Sequence, residues 1–373
     1  MKPRVLFVSR ERIRLPLIGA QRRKWDAIEA VVEPRVLAAA PAGLPVESEY
    51  FRLAPPARPA ALDGALYYLR LPLRIARELR SFEPDAAVVQ GVHEGASFML
   101  GRLLVRSRAK LILDVQGDWH ETTRLYGSPL RRLLSPFSDA LARLVVRNAD
   151  AVKTVSSQTT GLVRELGVEP VAVFPAYVDA EAFLERSPAP LPEAPRAVFV
   201  GVLERYKAFD TLLEAWRRAA PQLPAAVLHV VGDGTMRDRM RGLLEELPGQ
   251  SEWSQRLDPG DVARAMDDAW LLCLPSRSEG LPRVALEAAC RGRAIVGGNR
   301  AGIPDVVRDG ENGLLVDPDD AGDLARALVR LLSDRAEAER LGSAARRTGE
   351  EWVVGPASYG SRIEGLVRDV LAG

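Results

Sequence analysis

Short runs of Val, Ile and Leu alternate along the chain with segments whose apolar residues recur every three or four positions. The runs are typical of buried parallel strands and the longer segments of the helices that connect them. Predicted strands of the first half are Arg4–Ser9, Ala86–Gln90, Leu111–Val115, Ala151–Val155 and Val171–Phe174. Those of the second half are Ala197–Val200, Val227–Val231, Trp270–Leu274, Ala294–Gly297 and Gly313–Val316. The pattern predicts two α/β units, each with a parallel sheet.

A length of 373 residues also favours two domains, with a cleft expected between them. Residues 186–195 contain four prolines and read as an extended boundary segment. We therefore predict a first domain over residues 1–178 and a second over residues 179–355. In residues 356–373, apolar positions at helical spacing predict a final helix that packs back on the first domain.

Charge is distributed unevenly along the chain. The formal net charge is +1, but residues 1–180 hold 26 basic against 19 acidic side chains, and the remainder holds 25 against 31. A basic half can bind an anionic membrane, a phosphorylated substrate or nucleic acid, but charge alone favours a solvated Arg-rich surface. Nucleic-acid binding is not expected, because aromatic residues do not interleave with the basic ones.

The remaining composition indicates a cytoplasmic protein. The two cysteines, Cys273 and Cys290, occupy apolar positions and are expected to be reduced core residues. We see no signal-peptide pattern and no apolar run of the length that spans a membrane.

The segment from Leu271 to Glu287 carries the strongest chemical signal. The predicted strand ends at Leu274, and a loop through Ser276 and Gly280 leads to Pro282, where a helix is expected to begin with proline at its first position. The free N–H groups of Arg283 and Val284 would then form an anion site suited to phosphate. Carboxylates at Glu279 and Glu287 can each accept hydrogen bonds from paired hydroxyls.

This segment resembles the retaining, GT-B-fold glycosyltransferases of family 4. Their hallmark is Pro-Ser, then Glu-Gly-(Leu/Phe)-Pro, then Glu, present here as Pro275-Ser276, Glu279-Gly280-Leu281-Pro282 and Glu287. The resemblance implies two Rossmann-like domains, with an acceptor bound by the first and a nucleotide sugar by the second. It implies that Glu279 binds the donor sugar, Glu287 the ribose, and the backbone between them, including Arg283, the diphosphate.

Two further motifs extend the resemblance. Gly201-Val202-Leu203-Glu204-Arg205-Tyr206-Lys207-Ala208 resembles the family's Gly-Arg-Leu-x-x-x-Lys-Gly loop, whose Arg and Lys hold the diphosphate. Lys207 matches, Val202 replaces the Arg and Ala208 the Gly. Arg205 is a candidate to supply the missing charge, and a surface-facing arginine is the equal alternative. The turn at Gly232-Asp233-Gly234 also fits the donor domain.

In the first half, catalytic candidates follow the strand Leu111–Val115. Gln116 stands where many relatives carry a His near the donor sugar, and Asp118 and His120 come next. His93 and Gly19 are expected on the acceptor side.

A basic and apolar segment from Arg10 to Trp25 is a candidate for peripheral contact with an anionic membrane at its inner face, or for a phosphorylated acceptor. The alternative, which charge patterning favours, is a loop and helix start that line the cleft.

No residues have metal-ligand spacing, and for Asp319-Asp320 a structural role is favoured over metal binding. The expected reaction is therefore metal-independent sugar transfer, with retention, from a UDP- or GDP-linked donor and without a resident cofactor. The acceptor would be a glycan, a lipid-linked molecule or a small molecule. A GT-B epimerase or phosphorylase and a catalytically inactive GT-B scaffold remain alternatives. A Rossmann dehydrogenase does not fit, because the turn after the first strand lacks the glycines needed to approach a pyrophosphate.

Overall fold

A computed structural model describes residues 1–59, 62–120, 135–178, 180–184 and 187–373. The chain divides into two units, one of Met1–Tyr177 together with Val354–Gly373 and one of Val178–Val353. The first unit ends before the proline-rich segment, which lies within the second.

The described strands of the first unit form an eight-stranded sheet in the order β3-β4-β2-β1-β5-β6-β7-β8. All neighbours are parallel except β3 and β4. The strands are β1 (Arg4–Arg12), β2 (Glu33–Ala39), β3 (Glu47–Ser48), β4 (Phe51–Ala54), β5 (Ala86–Gln90), β6 (Lys110–Val115), β7 (Ala151–Thr154) and β8 (Ala172–Val173). The helices are α1 (Gly19–Val31), α2 (Asp63–Ser81), α3 (Val92–Val105), α4 (Ser135–Asn148) and α5 (Ser157–Arg164).

The described strands of the second unit form a six-stranded parallel sheet in the order β11-β10-β9-β12-β13-β14. They are β9 (Arg196–Val200), β10 (Val227–Val231), β11 (Ser251–Ser254), β12 (Leu271–Leu274), β13 (Ala294–Gly298) and β14 (Gly313–Val316). Its helices are α6 (Glu181–Leu184), α7 (Phe209–Ala219), α8 (Arg237–Glu246), α9 (Pro259–Asp267), α10 (Arg283–Cys290), α11 (Ile303–Val306), α12 (Ala321–Ser333) and α13 (Arg335–Trp352), with short 3₁₀ turns at Arg205–Lys207 and Ala220–Gln222.

The predicted strands form because their runs are apolar on both faces, and both sheets are covered by helices. In β6 and β12, for example, all residues from Leu111 to Val115 and from Leu271 to Leu274 are buried. The prediction of two α/β units with parallel sheets is confirmed. Cys273 and Cys290 are buried free thiols, and burial raises the pKa of Cys290 to about 11.

The last helix, α14 (Pro356–Ala372), packs against α1 within the first unit. Tyr359, Ile363 and Val367 point into the core of that unit. The contact is close because a Cβ at Gly360 would lie 2.6 Å from the carbonyl oxygen of Ala27.

Two buried arginines hold the proline-rich segment against the second unit. Arg291 donates to both carboxylate oxygens of Asp267, at 2.8 and 2.7 Å, and to the carbonyl of Ser187 at 3.2 Å. Arg293 donates to the carbonyls of Met266 and Ala189 at 2.9 and 2.7 Å. These bonds satisfy guanidinium groups that would be costly to bury alone.

Candidate functional site

The loop that follows β12 places the predicted donor residues at the carboxyl end of the second sheet. It leads into α10, which begins at Arg283, one residue later than predicted. Pro282 is the residue before the helix, because its ψ of 80° lies outside the helical range.

The N–H groups of Arg283 and Val284 are the two that the sequence predicts to be free at the start of this helix. The N–H of Arg283 donates to the carbonyl of Leu281 at 2.9 Å, so it is not free. That of Val284 has no backbone acceptor among the described residues. The helix start therefore offers one of the two expected donors.

Three of the predicted donor residues come together in the second unit. The ammonium of Lys207, in the 3₁₀ turn after β9, forms a salt bridge with Oε1 of Glu279. Ser276 Oγ donates to the same oxygen at 3.1 Å. The Lys207 and Glu279 side chains are 13% and 14% exposed, so the pair is accessible at the surface but shielded from most of the solvent.

Arg277, which the sequence motifs did not single out, connects the loop after β12 to the segment after β9. Its backbone N–H donates to the carbonyl of Tyr206 at 2.8 Å. Its guanidinium donates to Asp210 at 2.8 Å, to Thr211 at 2.9 Å and to Asp319 at 2.6 Å. Burial opposes the charge, but the hydrogen bonds to the two carboxylates outweigh it and raise the pKa of Arg277.

The acidic doublet at the start of α12 is engaged within the protein. The hydrogen bond from Arg277 lowers the pKa of Asp319. Asp320 caps the helix, accepting from the N–H groups of Gly322 at 2.7 Å and Asp323 at 3.1 Å. Neither carboxylate belongs to a metal-binding cluster, and in the described ranges no set of three or more His, Cys, Asp or Glu could hold a metal ion.

Glycines let the loops around the salt bridge touch backbone to backbone. Gly232 has a φ of +144°, and a Cβ there would lie 1.8 Å from the carbonyl oxygen of Gly201. A Cβ at Gly302 would lie 2.3 Å from the carbonyl oxygen of Gly280, and the Gly302 N–H donates to Glu279 O at 2.9 Å. The contacts at Gly232 and Gly302 leave no room for a side chain, whereas a Cβ at Gly201 would meet side-chain atoms only at 3.5 Å or more.

The other predicted donor residues lie around this pair in different environments. Arg205 is exposed, and its side chain forms no ion pair within the described part of the chain. Glu287 is half-buried, one turn inside α10. Val202 is 43% exposed. Ala208 adopts a φ of +50°, a left-handed conformation that glycine accepts more readily.

In the first unit, a cavity of about 320 Å³ lies at the carboxyl ends of β1, β5 and β6. His93 and Gln116 line it, together with Arg10, Glu11 and Trp119. Gln116 is held in place because its Nε2 donates to Asp114 Oδ2 at 2.7 Å. Asp114 in turn pairs with Lys153 at 2.9 Å, and both side chains are almost fully buried.

Asp118 and His120 do not line this cavity. Asp118 is buried and its Oδ1 accepts the backbone N–H of His120 at 2.7 Å, a local turn contact. His120 Nδ1 lies 2.7 Å from Asp139 Oδ1. Gly19, with a φ of +53°, is exposed at the start of α1 and is likewise absent from the cavity lining.

In the basic and apolar segment from Arg10 to Trp25, most of the large apolar side chains are buried and most of the arginines are exposed. Ile13, Leu15 and Trp25 are buried in the core, whereas Ile18 is exposed. Within the described part of the chain, no helix combines the length and apolarity needed to cross a bilayer.

Comparison with known proteins accounts for most of the chain. Residues 17–177 match the Glycosyl transferase 4-like domain, and residues 182–348 match Glycosyl transferases group 1. The sulfoquinovosyl transferase SQD2 of Arabidopsis thaliana is 25% identical over 307 residues, which make up 77% of this chain and 58% of that protein. The chain thus spans less than two thirds of that relative's length.

Solved structures match the chain from end to end. The sucrose-phosphate synthase of Thermosynechococcus elongatus aligns with a TM-score of 0.80 at 20% identity, over 100% of both chains. The Anabaena protein HepE, solved in complex with UDP-glucose, aligns with a TM-score of 0.73 at 15% identity, over 98% of this chain and 100% of that one. At these identities the likeness establishes the fold, and the predicted GT-B fold is confirmed.

Proposed function

Because this chain belongs to the glycosyltransferases of GT-B type, we propose that it transfers a sugar from a nucleoside diphosphate donor to an acceptor hydroxyl, with retention and without a metal ion. The observation that carries the proposal is the salt bridge between Lys207 and Glu279 beside the start of α10. It joins a cation suited to phosphate and a carboxylate suited to sugar hydroxyls in one site.

Donor binding exchanges the partners of this salt bridge. The diphosphate takes the ammonium of Lys207, while Glu279 turns from the ammonium to hydroxyls of the sugar. The free N–H of Val284 adds a donor at the positive end of α10. Arg205, exposed in the same loop as Lys207, supplies the second cation that the Val202 position lacks.

Bond cleavage places negative charge on the departing diphosphate. Once the donor is bound, Lys207 and the helix N–H lie where that charge develops and stabilise it, and Arg205 adds a second cation. Because these groups carry the positive charge, no divalent ion is required. EDTA treatment should leave the rate unchanged, and a rate restored only by Mg²⁺ or Mn²⁺ would contradict this part of the proposal.

Retention follows from attack on the face that the leaving group vacates. The departing phosphate oxygen takes the proton of the acceptor hydroxyl, and Glu279 orients the sugar without becoming its nucleophile. NMR of the first product formed should show the anomeric configuration of the donor. A glycosyl adduct trapped on any side chain by rapid quench and mass spectrometry would contradict the mechanism.

The acceptor binds at the cavity lined by His93 and Gln116. Its mixed lining, with Arg10, Glu11 and Trp119, suits a hydroxylated molecule and allows an anionic group near Arg10.

Glu287 binds the ribose of the donor. UDP is the favoured nucleotide because a structural neighbour binds UDP-glucose.

Donor hydrolysis across a panel of UDP- and GDP-linked sugars, with calorimetry of the free nucleotides, tests the assignment. We expect one nucleotide to bind and its sugar conjugates to be hydrolysed slowly. A blank in both measurements would favour an inactive scaffold, and products other than free sugar and nucleotide would favour an epimerase or phosphorylase.

A further inference from the structure

Three neighbouring helices of the first unit, α2, α3 and α4, carry large apolar side chains on their outer sides. Their inner sides pack on the sheet, and α3 contacts both of the others. The outer positions nevertheless remain apolar, and Leu69, Leu103 and Phe137 are 73%, 73% and 75% exposed. We call this surface the leucine–arginine face, with apolar members Leu69, Leu73, Leu103, Leu104, Phe137 and Leu144.

Arginines alternate with these apolar residues, and no exposed carboxylate neutralises them. The exposed arginines on and beside the three helices are Arg70, Arg77, Arg80, Arg106, Arg143 and Arg147. None of them forms an ion pair among the described residues.

The four carboxylates of the three helices are directed elsewhere. Glu78 and Glu94 are buried. Asp63 accepts the N–H of Ala57 at 2.7 Å, and Asp139 lies beside His120. The three helices themselves therefore present arginines and apolar side chains without an exposed carboxylate, and beside them Asp150 pairs with Arg102 of α3 at 2.6 Å.

A groove deepens the face between α3 and α4. It encloses about 600 Å³ and is lined mainly by aliphatic side chains, among them Met99, Leu100, Leu141 and Leu144. A groove of this kind can take acyl chains, and it lies directly beside arginines able to bind phosphate groups.

We propose that the leucine–arginine face binds the surface of an anionic lipid bilayer. Leucines enter the boundary between headgroups and acyl chains while the long arginine side chains reach lipid phosphates. The inference does not depend on the donor chemistry, and it assigns membrane contact to a different surface from the segment around Arg10–Trp25.

Flotation of the full chain with vesicles of phosphatidylglycerol and phosphatidylcholine in equal parts tests the proposal. We expect flotation at low salt that weakens as salt rises, and none with phosphatidylcholine alone. Replacing Leu69 and Leu103 by Gln should abolish it. The R77Q/R143Q variant should bind about 25-fold more weakly, at about fivefold for each arginine.

Matched controls separate this face from other surfaces. The R239Q/R256Q variant removes two exposed arginines of the second unit and should float like the wild type. The I18Q/R14Q variant alters the N-terminal segment and should also float. Thermal unfolding and nucleotide binding should be unchanged in all four variants, because every substituted side chain is exposed.

Three results would overturn the inference. The first is failure of the wild type to float with anionic vesicles at low salt. The second is loss of flotation in the I18Q/R14Q variant with retention in the leucine variant. The third is a wild-type dimer, seen by analytical ultracentrifugation and dispersed by the leucine substitutions, without vesicle binding.

Discussion

Replacing Lys207 by Gln tests the core of the proposed donor site. The change removes the ammonium that pairs with Glu279 but keeps a hydrogen-bond donor on a side chain of similar reach. A charge-assisted hydrogen bond contributes about 1.5–3 kcal/mol. Nucleoside diphosphate affinity should therefore fall by about 10- to 150-fold.

The same change should lower the stability of the unliganded protein. Glu279 is 14% exposed and would keep only the hydroxyl of Ser276 as a charge-stabilising side-chain partner. Leaving a shielded carboxylate without its cation costs about 1–3 kcal/mol. Since Lys207 binds either Glu279 or the ligand, both effects arise from one ammonium.

Isothermal calorimetry with UDP and GDP measures the affinity, and thermal unfolding gives an independent check. At a ligand concentration about 100 times its dissociation constant, the wild type gains about 2.7 kcal/mol. A variant with about 100-fold weaker binding gains only about 0.4 kcal/mol at that concentration. The R239Q variant, which removes an exposed arginine of the same unit, should behave like the wild type.

The reasoning fails if K207Q folds normally and binds the nucleotide as tightly as the wild type. The K207Q/E279Q double variant sharpens the comparison. It should recover much of the lost stability, because the unpaired carboxylate is gone, yet it should not recover nucleotide affinity.

Four further predictions follow from contacts described above. The E279Q substitution should slow sugar transfer by about 100-fold, which steady-state kinetics measures. It should also tighten binding of the free nucleotide, which calorimetry measures, because the Lys207 ammonium loses its competing partner. The G302A substitution places a Cβ 2.3 Å from the carbonyl oxygen of Gly280. It should therefore lower the free energy of unfolding by about 1–3 kcal/mol and weaken nucleotide binding. The G242A control has open space around its Cβ and should do neither. The D267A substitution leaves two buried arginines without their carboxylate and should cost about 3–5 kcal/mol in chemical denaturation, more than D267N. Burial raises the pKa of Glu94, so the free energy of unfolding should fall as pH rises through the folded-state pKa of this carboxyl. The E94Q substitution should flatten that part of the pH profile of thermal unfolding. An unchanged profile would contradict a raised pKa at Glu94.

Strands buried on both faces could be predicted because their composition alone marks them. The edge strand Ser251–Ser254 was missed, since it is mostly polar and bonds to β10 alone. Glu33–Ala39 was missed as well, because Glu33, Pro34 and Arg35 interrupt its apolar run. Strand formation there depends on neighbouring strands more than on local composition.

The donor motifs could be placed in the chain from sequence, but their mutual contacts could not. Lys207 and Glu279 meet because β9 and β12 are neighbours in the sheet, an order that the sequence does not state. The role of Arg277 has the same origin, since its partners lie in the 3₁₀ turn, in the first turn of α7 and just before α12. Asp118 was chosen for its position after a strand, yet a nearby backbone N–H satisfies its carboxylate.

The salt bridge between Lys207 and Glu279 also bears on which molecules can enter the donor site. A simple anion such as inorganic phosphate would have to separate the pair and strand Glu279 without a partner. A bare sugar would meet the opposite obstacle, because it could satisfy the carboxylate but not the ammonium. Only a ligand that presents phosphate and hydroxyls together gives new partners to both the Lys207 ammonium and the Glu279 carboxylate. If the donor binds here as proposed, the salt bridge discriminates by charge neutrality against phosphate alone and against sugar alone, before any contact with the base contributes.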